Sequence, residues 1–360
     1  MESRRRMVNL VLGSGLSVSE AARRSGVSRV TAHEWVRRAR LEGIDQMSEL
    51  SRRPGKSPRL TPSEISDQVI ELAREHPYWG PQKLHALLWP TDSAPICERT
   101  VARILSRSGR SVLPMADPQP ETIRFERANS NELWQVDFKK VGTRKNRREA
   151  MSVLDDSRRY CIALEVVPDQ TLKSAWEVLW NSFGEFGLPA GMLSDNGPAF
   201  RNNATWRWSS FDLRLMLLGI KPAHGKPYHP QTQGKVERLH GTIEREIRFE
   251  DRTDVPLVLR EFRDRYNWVR PHQALDLKTP GSLYEPSKRT RPKTMPEPFF
   301  KEGCLMRRCH DPGVINYKGA KYKLGRAFTN LPVGLLHNEN GVLEVIWGNF
   351  TLGPLEDLRL

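Results

Sequence analysis

The chain has 360 residues, with 57 Lys and Arg against 43 Asp and Glu, a formal charge of +14 and a pI near 9.8. At 38% hydrophobic it can bury the cores of about two to four domains. Its excess positive charge points to a polyanionic partner, nucleic acid before membrane surface. No apolar run approaches the ~20 residues of a membrane span, which argues against a membrane protein. The charged start Met1–Arg6 leads into no long apolar stretch, so no secretory signal is expected. Four cysteines, Cys97, Cys161, Cys304 and Cys309, are too few for a disulfide scaffold and fit a reducing, cytoplasmic setting.

Residues 1–58 are expected to form a DNA-binding domain. Half of the net charge lies in the first 60 residues, where 13 Lys and Arg face 6 Asp and Glu. Ser17 and Glu20 have capping-box spacing for a short helix through Arg23. Ser25-Gly26-Val27 supplies a tight turn, with Gly26 taking the positive φ. Ser28 caps a second helix to about Leu41, which offers Val27, Ala32, Trp35, Val36 and Ala39 for burial. Arg29, His33 and Arg37 recur at i, i+4 and i+8 on its open face. Two short helices around a glycine turn, the second with a basic stripe, form a helix-turn-helix pattern suited to the DNA major groove. A Pro/Ser/Arg-rich link, Ser51–Pro58, follows.

Residues 59–112 repeat the theme. Thr61-Pro62-Ser63-Glu64 starts a helix to about Glu75, His76-Pro77 stops it, and shorter helices are expected over Gln82–Trp89 and Glu98–Ser108. Arg99, Arg103 and Arg107 again stand at i, i+4 and i+8, suggesting a second DNA-reading module, with a packing spacer as the plainer alternative. Residues 113–130, with Pro114, Pro118 and Pro120, form a linker.

From residue 131 the pattern is α/β. Strands are expected over Leu133–Phe138, Glu149–Leu154, Tyr160–Val167, Gly191–Ser194 and Ile220–His224. An amphipathic helix, Thr171–Phe186, separates the third strand from the fourth. A further helix opens near Gln233, after Pro230. Such strands and helices make a mixed sheet whose ligands collect where neighbouring strands end. Asp137 lies in the first strand, Asp195 directly follows the fourth, and Glu237 sits on the last helix between Lys235 and Arg238. Hard oxygen ligands of this kind suit a pair of Mg²⁺ ions, about 3.5–4 Å apart in enzymes that cut or join phosphodiesters. Taken singly, an Asp-Asn-Gly after a strand is equally a turn.

As a set, Trp134-Gln135-Val136-Asp137, Ser194-Asp195-Asn196-Gly197-Pro198-Ala199-Phe200 and Gln233-Gly234-Lys235-Val236-Glu237-Arg238 resemble the D, D, E motifs of integrase-core transposases of bacterial insertion sequences, in the retroviral-integrase superfamily. Tyr266-Asn267, Arg270-Pro271-His272-Gln273-Ala274-Leu275 and Thr279-Pro280 match the segment after the catalytic helix. The resemblance covers about 130–285 and implies a ribonuclease-H-like catalytic core over 131–285. It implies that Asp137, Asp195 and Glu237 are catalytic and hold two Mg²⁺ ions, with Mn²⁺ as a substitute and Asp137 shared. The activity implied is binding of terminal inverted repeats and target duplex DNA, 3′-end cleavage, and strand transfer by direct transesterification, in a homo-oligomer on the bacterial nucleoid. No helper protein is named by any motif. Lys235 would contact a backbone phosphate, Arg238 would do the same or be a surface charge, Asn196 would orient a water or nucleotide, and His240 would touch the scissile phosphate or support the fold. His229 and His272 carry the same two readings. The 41 residues between Asp195 and Glu237 exceed the usual spacing, with the surplus expected over Asn202–Leu218. Glu244 and Glu246 are rivals for the third position.

Residues 286–300, rich in Pro, Lys and Arg, read as a linker. Over 301–360, short strands around Val314–Tyr317, Lys321–Leu324, Gly334–His337 and Val342–Trp347 suggest a small all-β barrel, SH3-like by the same resemblance. The fold class expected is therefore multidomain: helix-turn-helix modules, an α/β core and a β-barrel. The rival functions are a ribonuclease-H-like nuclease and a catalytically silent DNA-binding regulator. Cys304, Cys309 and His310 lack zinc-site spacing.

Overall fold

The computed structural model describes residues 2–44, 60–91, 93–110, 127–201, 208–225 and 234–360. It divides into two compact units, Met1–Thr61 and Pro62–Leu360. The Ser51–Pro58 link, most of the 113–130 linker, Trp206 and His229 lie outside the described residues.

Among its described residues the first unit holds three helices: α1 (Glu2–Leu12), α2 (Val18–Arg24) and α3 (Arg29–Glu42). The sequence reading missed α1, whose arginines register as charge before they register as helix. Its Met7 and Val8 are fully buried against Ala21, Ala22, Ala32 and Val36. Ser17 caps α2 by accepting the Glu20 N–H at 3.3 Å. The Glu20 carboxylate turns instead to Arg23 and Arg24, so only half of the expected box forms. Gly26 takes the left-handed φ of +65° that the turn requires. Ser28 caps α3 through the Thr31 N–H at 3.1 Å, a bond whose loss typically costs ~1 kcal/mol.

In the second unit, α4 (Ser63–Glu75), α5 (Pro81–Leu88) and α6 (Glu98–Arg107) enclose a core of Val69, Ala73, Trp79, Leu84, Val101 and Leu105. The α/β layer follows: β1 (Trp134–Val141), β2 (Arg148–Asp155), β3 (Cys161–Val167), α7 (Leu172–Phe186), β4 (Gly191–Ser194), α8 (Ser210–Leu217), β5 (Lys221–His224), α9 (Gly234–Glu246) and α10 (Val255–Trp268). The strands form one mixed sheet in the order β3-β2-β1-β4-β5. β1, β2 and β3 pair antiparallel, and β4 joins β1 and β5 in parallel. Strand alternation explains the layering. On β2, Met151 and Val153 enter the cluster that includes Leu179 and Phe183 of α7. Ala150 and Leu154 enter the opposite cluster with Leu239 and Ile243 of α9 and Leu259 and Phe262 of α10. α8 lies where surplus sequence was expected. Its Ser209–Asp212 capping box is complete.

The C-terminal region contains β6 (Leu305–Arg308), β7 (Val314–Tyr317), β8 (Ala320–Lys323), β9 (Pro332–His337), β10 (Leu343–Trp347) and β11 (Phe350–Pro354). A four-stranded antiparallel sheet, β11-β10-β9-β6, stands beside a β7-β8 hairpin. Among the described residues these two sheets pack around one core. They share a core with the core helix α8: Leu213 and Met216 pack with Tyr322, Phe328 and Trp347, and the Trp347 indole donates to the Leu213 carbonyl at 3.2 Å. The 286–300 segment is no free tether. Leu188 N–H donates to Arg289 O at 2.7 Å and Ser287 N–H to Phe186 O at 2.8 Å. Arg291 lies over the Trp180 ring at 4.5 Å.

Candidate active site

Register brings the two aspartates together. Val136 on β1 pairs with Ser194 on the parallel strand β4, so the next residues, Asp137 and Asp195, stand side by side. Asp137 accepts the Phe138 N–H at 2.8 Å. Asp195 accepts the Gly197 N–H at 2.9 Å. A Cβ at Gly197 would lie 2.9 Å from Asp195 Oδ1, so only glycine leaves the carboxylate where it is.

Glu237 comes from α9, which runs along β1. Alternate β1 residues meet α9 residues four apart: Gln135 Oε1 accepts the Val236 N–H at 3.4 Å, Asp137 faces His240 at 3.6 Å, and Lys139 pairs with Glu244. The match is geometric, since two strand residues span about 6.8 Å and four helical residues about 6 Å. The first turn of α9 is pinned further by a buried ion pair, Lys235 Nζ to Asp156 Oδ2 at 2.6 Å. Gln135 Nε2 donates to the other Asp156 oxygen at 2.7 Å. Glu237 therefore sits exposed at the head of a helix whose height over the sheet is fixed.

The site is electrostatically unbalanced. Burial, then the negative charge of Asp195 and of Glu237, pushes Asp137 up from 3.8 to about 7. Burial and the Lys139 charge hold His240 down at about 4, so at neutral pH its contact with Asp137 is not an ion pair. His240 instead hydrogen-bonds Ser152 Oγ at 2.8 Å, and that hydroxyl donates to the Asp137 carbonyl at 3.2 Å. His240 is thus tied to β2 beside Asp137. Of the two other acids on α9, Glu244 pairs with Lys139, and Glu246 pairs with Arg270 and accepts from the Trp79 indole at 3.2 Å.

As a cation site, the donor set fits in its chemistry. Asp137 and Asp195 are hard oxygen ligands that repel each other, as a divalent cation requires. Among the described residues, however, no three His, Cys, Asp or Glu side chains converge as a metal site, so Glu237 is near enough to perturb Asp137 without completing a ligand cluster.

Lys235, expected to contact phosphate, is spent on Asp156 and mostly buried; this corrects the sequence reading. Arg238 is exposed beside it. Asn196 is held on both sides, donating to Gly225 O at 3.0 Å and accepting from Arg201 at 2.9 Å. Arg29 and His33 are exposed on α3, as is Arg37, which forks onto Glu34 at 2.8 and 3.1 Å. Arg99, Arg103 and Arg107 are exposed along α6. His272 packs edge-on against Tyr266, and burial beside Arg270 pushes it down to about 3.

Sequence reasoning missed the supports. Gln135 and Asp156 read as a strand residue and a turn residue, although a glutamine between Trp134 and Val136 is a polar group in a buried run. A second unforeseen chain holds the end of β4: the buried Asp212 carboxylate accepts from His224 Nε2 at 2.8 Å, and His224 Nδ1 faces Ser194 Oγ at 3.1 Å.

Comparison with known proteins agrees with this architecture. Family models for the integrase core domain match residues 127–230 and 218–280. Models for a helix-turn-helix domain and a homeodomain-like domain match 3–55 and 31–105. An uncharacterized 39.2 kDa protein of insertion element IS476 from Xanthomonas euvesicatoria is 23% identical over 299 residues, 79% of this chain and 83% of that protein. An uncharacterized 31.7 kDa protein of insertion element IS407 from Burkholderia multivorans is 24% identical, over 61% of this chain and 80% of its own length. The Pol polyprotein of an ovine maedi visna related virus is 30% identical over 128 residues, 36% of this chain and 11% of the polyprotein. A chain of the simian T-cell lymphotropic virus intasome, in complex with PP2A regulatory subunit B56 gamma, aligns at 17% identity and a TM-score of 0.39, over 79% of this chain and 98% of its own. The HTLV-2 integrase catalytic core domain, solved in complex with magnesium, aligns at 18% identity and a TM-score of 0.35, over 44% of this chain and 98% of its own. The chain thus carries an integrase core domain over residues 127–280, preceded by helix-turn-helix and homeodomain-like regions, and is similar over much of its length to proteins of bacterial insertion elements.

Proposed function

We propose that the protein binds the ends of a mobile DNA element, cleaves the phosphodiester at the 3′ end and joins the freed 3′-OH to a target strand. The observation that carries this reading is the placement of Asp137 and Asp195 side by side at neighbouring parallel strand ends, with Glu237 on the helix that runs along the same strand. Asp137 and Asp195, with Glu237 drawn in from α9, would hold Mg²⁺ ions. Such ions activate the attacking oxygen and shield the leaving one. The chain's own part is positional: the Lys235–Asp156 pair and Gln135 hold Glu237 over the sheet, and Gly197 leaves room for the Asp195 carboxylate.

Duplex DNA would be gripped by the exposed faces of α3 (Arg29, His33, Arg37) and α6 (Arg99, Arg103, Arg107), with Arg238 near the scissile strand. Cutting two ends needs two active sites close together, so the working form on DNA is a homo-oligomer. The test supplies labelled terminal inverted-repeat duplex, Mg²⁺ and a target plasmid. Joined products are expected, and Glu237→Gln should abolish them while leaving end binding within a few-fold. Joining by that variant would remove Glu237 from the ligand set. Nicking without joining would indicate a ribonuclease-H-like nuclease, and a shifted band without cleavage a DNA-binding regulator.

A further inference from the structure

We propose that Val30 reads sequence, by seating its methyl groups against the 5-methyl of a thymine in the major groove. This rests on the reading that the first unit binds duplex DNA. A lone exposed valine is ordinary on a protein surface; its place is what distinguishes this one. Val30 is the second residue of α3 and 80% exposed. The N-terminal residues of a recognition helix are those that meet base edges.

The surroundings narrow its role. The first turn of α3 is fixed by the Ser28 cap and by the Ser28–Thr31 hydroxyl contact at 2.7 Å. Val30 is therefore presented on rigid backbone, and a β-branched side chain has little rotamer freedom to lose on contact. Arg29 and His33 flank it, both exposed, and among the described residues neither has an ion-pair partner. Arg37, a turn further along, is already forked onto Glu34. The occupant of this face is thus polyanionic, which favours DNA over a second copy of an equally basic unit. Within DNA, the one apolar group displayed in the major groove is the thymine methyl. The arginines supply attraction to any sequence, and the valine supplies choice.

The test uses the full-length protein. Sites are selected from duplexes with a randomised core, and each thymine of the selected motif is then replaced by uracil, which deletes only the methyl. Burial of one methyl at ~0.8 kcal/mol corresponds to about 4-fold in affinity, so wild-type protein should lose about that at one position. Val30→Ala should abolish the thymine-over-uracil preference there and keep the salt-dependent affinity for unselected DNA. Val30→Thr, which retains one methyl and the branched shape, should keep part of the preference. An unchanged preference in Val30→Ala, or a motif in which no thymine methyl matters, overturns the proposal. So does a loss of self-association in Val30→Ala with base preference intact, which would make the valine a subunit contact. If wild-type protein shows no salt-dependent duplex binding, the DNA-binding reading fails with it, and that outcome is distinct from the others.

Discussion

Asp137→Asn should abolish strand joining and at the same time make the protein more stable, by an amount that grows with pH. In the fold, burial and then Asp195 and Glu237 raise this carboxyl from 3.8 to about 7. Below its unfolded value both states are protonated and the folded protein suffers no penalty. Between the two values the unfolded chain releases a proton that the fold retains, so stability falls as pH rises. Above the folded value the loss is complete and constant. At ~1.4 kcal/mol per pH unit, the whole interval corresponds to about 4 kcal/mol. The side chain is 20% exposed, and solvent screening trims this to roughly 2–4 kcal/mol. Asparagine keeps an oxygen for the Phe138 N–H and removes the ionisation. Urea denaturation followed by tryptophan emission reports on this region, because Trp134 and Trp176 lie in the adjoining core. Measured with a chelator at about pH 5 and about pH 8, the advantage of the variant should widen by roughly 2–3 kcal/mol. Added Mg²⁺ should stabilise the parent more than the variant. An advantage equal at both pH values would refute the electrostatic account of the site.

Gly197→Ala should place a methyl 2.9 Å from Asp195 Oδ1 and lower joining by on the order of 10²-fold, with end binding unchanged in a mobility-shift assay. Lys235→Ala should strand a buried Asp156 and cost on the order of 3–5 kcal/mol in denaturation. It should not alter the salt dependence of DNA binding, and a reduced dependence would restore Lys235 to the phosphate contacts. The triple variant Arg99→Ala, Arg103→Ala, Arg107→Ala should lower the slope of log affinity against log salt by about 3, whereas an unchanged slope would make α6 a packing helix only.

Elements whose capping, turn and period-two cues coincide were legible in the sequence. Ser28, Thr171 and the Gly191–Ser194 run all fell within a residue or two of their structural limits. α1 was hidden because its helical face is interrupted by three successive arginines, Arg4 to Arg6. α8 was hidden by the surplus before it, since eight residues give little periodicity. For the site, the three acids were visible as residue types at strand ends and a helix head, but their supports were not. An ion pair such as Lys235–Asp156 joins positions 79 residues apart, and nothing local in either segment announces the other. The same distance effect misassigned Lys235, whose sequence neighbours suggest an open basic surface while its structural neighbour is a buried carboxylate.

The hydrogen bond from Trp79 to Glu246 limits how far the molecule can be trimmed. Glu246 and Arg270 are 7% and 8% exposed, with the Trp79 ring beneath the guanidinium at 5.7 Å and His76 stacked on that ring at 4.0 Å. A truncated enzyme beginning near residue 131 would lose the indole and open this charged pair to water, on the helix that bears Glu237. A fragment beginning at Pro62 retains the roof, and is the shorter version to make for crystallography or for grafting onto a foreign DNA-binding head.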